Sequence, residues 1–210
     1  MIALVLSIAV HEYGHAVTAD RLGDRTPSRQ GRVTLNPIAH IDPIGTILLP
    51  LVGYFFPSSF LFGWGKPVQV NPRAFSRRLR MKTGHLLVAA AGPAMNLVLA
   101  TVVSIVYLVL LKTGLVNVGE RHPAGAIKML IELNFTLAAL NLIPVPPLDG
   151  GTVLAGILPD RYGHVVAFLH QYGFMILLAL MVTGVINVLL WPAHAFARAW
   201  INGLHQLALS

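Results

Sequence analysis

Two histidines and a glutamate stand at the spacing His11-Glu12-Tyr13-Gly14-His15. On an α-helix, residues four apart lie one turn apart on the same face. Both imidazoles can then bind one Zn²⁺ while Glu12 reaches the water beside it. The chemistry this arrangement supports is metal-assisted hydrolysis: a Lewis acid acidifies water and polarises a carbonyl, and the neighbouring carboxylate accepts the proton. The setting sharpens the reading, because residues 1 to 19 are otherwise a nearly unbroken apolar run. Ionisable side chains in an apolar helix are costly to place in lipid and by default mark a functional site.

A catalytic zinc takes three protein ligands and keeps one position open. The chain contains no cysteine, so the third ligand must be a carboxylate or another histidine. The acids available are Asp20, Asp24, Asp42, Glu120, Glu132, Asp149 and Asp160. Asp20 and Asp24 follow the motif too closely to fold back onto its helix, and Glu132 stands four residues after Lys128, the spacing of a helix-surface pair. Asp149 lies between a Pro-Val-Pro-Pro break and two glycines, where an unwound helix lets a side chain converge on an ion, although an Asp-Gly pair also serves as an ordinary turn.

The elements that must position these groups are membrane helices. Of 210 residues, 55% are hydrophobic and only 11% charged, with mean hydropathy +0.70, where soluble domains carry about 25% charged residues. Net charge is +7, but ten of the fifteen basic residues fall between Arg21 and Lys82, which signals topology rather than nucleic-acid binding. The apolar N-terminus has no basic region ahead of it, and cleavage behind it would remove the motif, so it is read as retained. The expected fold is an all-α polytopic membrane protein of about four to five transmembrane helices, in a single domain over 1–210. Core helices are expected at about 1–19, 84–111, 126–148 and 173–191, with an interfacial amphipathic tail at 192–210. Residues 43–64 are apolar but interrupted by Pro50, Gly53 and Pro57, which suits a re-entrant hairpin. Residues 31–37 and 65–72 alternate apolar and polar between prolines, which predicts a small membrane-surface β-sheet whose edge pairs with an extended peptide.

Charge placement bears on the third ligand. The basic loops 20–42 and 66–82 belong together on the cytoplasmic side, so 43–64 dips in and returns rather than crossing. Helix 84–111 then runs outward, helix 126–147 runs back, and Asp149 arrives on the same side as His15. Had 43–64 crossed, Asp149 would lie roughly 30 Å away across the bilayer.

Three segments together resemble the site-2 proteases, zinc metalloproteases that cut the transmembrane segments of other proteins inside the membrane. They are His11-Glu-Tyr-Gly-His15, Ala91-Gly-Pro-Ala-Met-Asn96 and Asn141-Leu-Ile-Pro-Val-Pro-Pro-Leu-Asp-Gly-Gly151. The likeness covers nearly the whole chain and is greatest to the compact bacterial and archaeal members without a PDZ or CBS domain. It implies metal ligands His11, His15 and Asp149 around one Zn²⁺, base Glu12, and Asn96 and Asn141 in support of substrate or transition state. It also implies a transmembrane protein as substrate, a lipid bilayer as surroundings, and a prokaryotic inner membrane with the active site towards the cytoplasm. The competing reading is a non-hydrolytic metal-binding transporter or scaffold, which has no evident need for Glu12 beside two ligand histidines. A hydrolase acting on soluble peptides is a further alternative.

Overall fold

The computed structural model describes residues 2–48, 51, 65–77, 79–117 and 123–209, and is helical. Among the described residues seven α-helices follow one another: α1 (Ile2–Arg21), the single turn α2 (Thr26–Arg29), α3 (Met81–Lys112), α4 (Ala124–Asn141), α5 (Asp149–Ile157), α6 (Gly163–Val182) and α7 (Val185–Leu209). Among the described residues, three stretches are long and apolar enough to cross a membrane: Ile2–Arg21, Met81–Lys112 and Asp160–Val182. Helix α4, interrupted by Lys128 and Glu132, is not among them.

Helix α3 is the hub, touching α1, α4, α5 and α7. Its first half approaches α1 closely because both surfaces are stripped of side chains there. A Cβ on Gly14 would stand 2.6 Å from the Ala91 carbonyl oxygen, so backbone meets backbone. Its second half builds a core with α4 and α7 from Ala100, Tyr107, Ile131, Phe135, Ala197, Ile201 and Leu204.

Of four expectations, three need correction. No strand exists among the described residues, so the surface sheet does not form. Segments 31–37 and 65–72 do approach, but through side chains: the Gln30 amide donates to Gln69 Oε1 at 2.8 Å, and the Arg32 guanidinium donates to the Lys66 carbonyl at 3.5 Å. The backbone donors a ladder would need go elsewhere, Val68 N–H to the Glu12 carboxylate and Asn71 N–H to Asp24, while Pro67 and Pro72 have none to give. The re-entrant hairpin falls almost wholly outside the described residues; Pro43–Leu48 forms one wide helical turn.

Third, the helix expected over 126–148 ends at Asn141. Residues 142–148 form a tight turn run, with Val145 N–H bonded to the Ile143 carbonyl and Leu148 N–H to that of Val145, and Asp149 opens a new helix. The two glycines after it are dictated by packing. A Cβ on Gly150 would run into the Leu142 and Ile143 carbonyls, and one on Gly151 into the Pro146 ring. Fourth, a span over 173–191 followed by a separate tail is replaced by α6 and α7, split at Gly184, whose φ of 75° is one that glycine adopts readily. Helix α7 is docked rather than peripheral. Trp200 Nε1 donates to Ser104 Oγ at 2.9 Å, Tyr107 Oη meets His205 Nε2 at 3.0 Å, and Phe135 packs edge-on against Phe196.

Candidate metal centre

The motif occupies the middle of α1, where helical geometry sets His11 and His15 on the face turned to α3 with ring centroids 4.7 Å apart. Their Nε2 atoms are 3.0 Å apart. Asp149, carried by the first turn of α5, brings its Oδ2 to 3.1 Å from His11 Nε2 and 3.3 Å from His15 Nε2. Glu12 joins the group, with its own ligand atom and those of the two histidines all within 4.8 Å of one another.

What these atoms carry is decided at the other end of each ring. His15 Nδ1 lies 2.7 Å from the Val88 carbonyl, which can only accept, so Nδ1 holds the hydrogen of the neutral ring. His11 Nδ1 lies 2.6 Å from Asn96 Oδ1, with the same consequence. Both Nε2 atoms therefore present lone pairs, and the Asp149 carboxylate presents another. Asp149 Oδ2 is buried without a hydrogen-bond partner. Three bare acceptors converging in a buried site repel one another unless a cation sits among them, and a backbone carbonyl or amide fixing each imidazole from behind is the usual outer shell of a metal-bound histidine. The donor set of two imidazoles and a carboxylate is one that zinc accepts.

Glu12 is held by Val68, whose N–H donates to Oε2 at 3.0 Å. The segment carrying Val68 crosses over the centre as a strap. Its Lys66 N–H bonds the His40 carbonyl at 2.9 Å, and its Asn71 N–H bonds the fully buried Asp24 at 2.6 Å. Beneath it lies a cavity of about 640 Å³ bounded by α1, the strap, α3 and the α4–α5 turn, with Phe174 of α6 at its wall. Its lining is mainly apolar, including Ile8, Val70, Leu137 and Leu140, with the three acceptors and Glu12 as a polar focus.

Four of the carboxylates weighed as third ligands are engaged elsewhere. Asp24 accepts from Thr26 and Asn71 N–H, Asp42 from Ile44 and Gly45 N–H, and Asp20 from Ser28 and Arg25. Asp160 pairs with Lys82 at 2.9 Å, and Glu120 lies outside the described residues.

Asn96 does not have the role expected of it. Fully buried, it accepts from His11 and spends both amide hydrogens on the Ser7 carbonyl at 3.3 Å and Asn134 Oδ1 at 2.8 Å, leaving none for substrate. Asn141 does line the cavity. Its amide donates once, to the Leu137 carbonyl at 3.0 Å.

Sequence reasoning missed Ser7, Asn134, the Val88 carbonyl and Gly92. Gly92 is the floor of the centre, since a Cβ there would meet both imidazoles. The available signal was a buried serine and asparagine in apolar helices, which lipid makes expensive.

Comparison with known proteins agrees with this geometry. Residues 1–124 and 120–184 match the sequence profile of Peptidase family M50. YwhC of Bacillus subtilis (strain 168), named as a candidate zinc metalloprotease, is 36% identical over 195 residues, covering 91% of this chain and 84% of its own. Rip2 of Mycolicibacterium smegmatis, named likewise, is 32% identical over 188 residues, covering 87% of this chain and 66% of its own. The zinc metalloprotease MJ0392 of Methanocaldococcus jannaschii is 26% identical over 163 residues, and the chain spans only 35% of its length. No solved structure matches. With the family profile spanning most of the sequence, the chain belongs to peptidase family M50, the site-2 proteases, a family of intramembrane zinc metalloproteases.

Proposed function

We propose that His11, His15 and Asp149 hold one Zn²⁺, that Glu12 is the general base, and that the enzyme hydrolyses peptide bonds in or near transmembrane segments of membrane proteins. The observation that carries the reading is the meeting of two imidazole lone pairs and an unpartnered carboxylate oxygen within 3.3 Å, beside the Glu12 carboxylate that Val68 N–H holds. When bound, zinc supplies Lewis acidity for both water and peptide carbonyl. The remaining work belongs to the chain. Glu12, steadied through Oε2 by Val68, accepts the proton of the attacking water at Oε1 and returns it to the departing amide nitrogen. The second amide hydrogen of Asn141 has no partner among the described residues and faces the cavity, where it can donate to the substrate carbonyl; such a donor is worth about 3 kcal/mol when well placed.

A transmembrane helix encloses its peptide bonds in its own hydrogen bonds, so it must unwind before attack. The apolar lining accepts the side chains that unwinding exposes. The basic residues of 21–32 and 66–82 support an orientation in which the metal end of α1 faces the cytoplasm, in a prokaryotic inner membrane. Helices α1 to α7 act as one metalloprotease domain. A transporter or scaffold is disfavoured because neither calls for Glu12 to be held ready beside the metal ligands.

The test uses a single-span membrane substrate with wild type, Glu12→Gln and Asp149→Ala. Glu12→Gln is expected to bind one zinc per chain and cleave nothing, and Asp149→Ala to lose both metal and cleavage. Cleavage by Glu12→Gln at the wild-type rate would refute the assignment.

A further inference from the structure

The imidazole of His11 is governed from a residue on a third helix. Leu130 presents a backbone carbonyl, which can only accept, and Asn134 Nδ2 lies 2.8 Å from it. The same nitrogen lies 2.9 Å from Ser7 Oγ, whose own hydrogen goes to the Ala3 carbonyl at 2.7 Å. Turning the Asn134 amide over would set its oxygen against two acceptors, so Oδ1 must point the other way, to Asn96 Nδ2 at 2.8 Å. That fixes the Asn96 amide with Oδ1 towards His11 Nδ1 at 2.6 Å. The hydrogen of the His11 ring is thereby placed on Nδ1 and the lone pair on Nε2, where Asp149 converges. Ser7, Asn96 and Asn134 are all fully buried, so no water competes for these bonds.

We infer that Asn134 is a positioning residue for the metal centre: anchored to the Leu130 carbonyl, it sets the amide of Asn96 and through it the tautomer and aim of His11. The inference rests on the proposed metal site. The pairing Asn96 Nδ2 to the Ser7 carbonyl is a weaker second restraint on the same amide, at 3.3 Å, so removing Asn134 should loosen the centre without abolishing it.

The experiment compares wild type, Asn134→Leu, Asn134→Asp and Glu12→Gln, purified in detergent. It measures zinc affinity by chelator competition, the visible absorption of the Co²⁺-substituted protein, and thermal unfolding without metal. Leucine keeps the γ-branched shape and removes every side-chain hydrogen bond. A protonated aspartate keeps both functions, its hydroxyl donating to the Leu130 carbonyl and its other oxygen accepting from Asn96. Asn134→Leu is expected to bind zinc about tenfold more weakly, the low end for losing an outer-shell partner, and to alter the Co²⁺ spectrum, with Asn134→Asp restoring both. Equal zinc affinity in wild type and Asn134→Leu overturns the inference, as does a failure of aspartate to do better than leucine. So does collapse of both variants in metal-free unfolding, which would assign Asn134 to helix packing. If wild type and Glu12→Gln bind no metal at all, the proposed centre itself has failed, an outcome separate from these.

Discussion

Gly92→Ala sets two consequences of one methyl group against each other. In a helix interior, alanine is favoured over glycine by about 1 kcal/mol, so the substitution should stabilise α3. But a Cβ at this position would stand 2.5 Å from His15 Cε1 and 2.7 Å from His11 Cε1. Carbon atoms rest at about 3.5 Å or more, so each ring would have to withdraw by roughly 1 Å. Neither ring is free to do so. His15 is tied to the Val88 carbonyl at 2.7 Å and His11 to Asn96 at 2.6 Å, and metal ligation tolerates only about 0.2 Å of misplacement. Disturbing one outer-shell contact weakens metal binding about 10- to 100-fold, or roughly 1.4 to 2.8 kcal/mol. Displacing two ligands together should therefore reach at least the upper figure, about 100-fold. The assay is zinc affinity by chelator competition alongside thermal unfolding with and without metal. The metal-free protein should unfold at or somewhat below the wild-type temperature, because overpacking of about 1 to 3 kcal/mol offsets the helical gain, while the zinc-dependent rise in melting temperature shrinks. If Gly92→Ala binds zinc within a few-fold of wild type, the close packing of α3 beneath the imidazoles is not what the structure shows.

Val68→Pro deletes the N–H that holds Glu12 Oε2 while leaving the metal ligands untouched. A hydrogen bond to a charged group contributes about 1.5 to 3 kcal/mol, so substrate cleavage should fall about tenfold or more with zinc content at one per chain; unchanged cleavage would show that the strap does not steady the base. Chelation should abolish cleavage and lower the melting temperature, with added zinc reversing both, because a ligand that binds only the folded state stabilises by mass action. Melting that is indifferent to chelator and zinc would show that the three ligands do not hold a metal.

Legibility in the sequence followed the distance over which each interaction acts. The pair His11 and His15 was readable because helical spacing alone makes them neighbours. Asp149 was readable in part, because the basic loops and the proline-glycine break both led to one side of the membrane, and its Oδ2 lies 3.1 Å from His11. The strap was misread for a physical reason. Alternation at Val68 and Val70 reports which side chains face inward, but not what the backbone bonds to, and here carboxylates of α1 and its following loop took the donors that a neighbouring strand would have used. The partnership of Ser7 with Asn134 spans 127 positions and leaves no local pattern. The tail misled because an arginine, tryptophans and histidines among apolar residues read as an interfacial helix, whereas Ala197, Ile201 and Leu204 are buried against α3 and α4.

Polarity inside the apolar helices therefore does not by itself locate the centre. Ser104, Tyr107, Trp200 and His205 are as anomalous in their surroundings as His11 or Asn134, yet they satisfy one another across α3 and α7 and need nothing further. Ser7, Asn96 and Asn134 are satisfied too, but in a fixed direction that ends on His11. Only at the end of that chain does the accounting fail, where two ring nitrogens and Asp149 Oδ2 meet with no hydrogen among them. Among the described residues, the other buried side-chain atom without a partner is His40 Nδ1, which has no second acceptor converging on it in the metal-competent group. A cation is the simplest species that answers three converging lone pairs, and this makes the deficit, rather than the charge or the burial, the physical mark of the site.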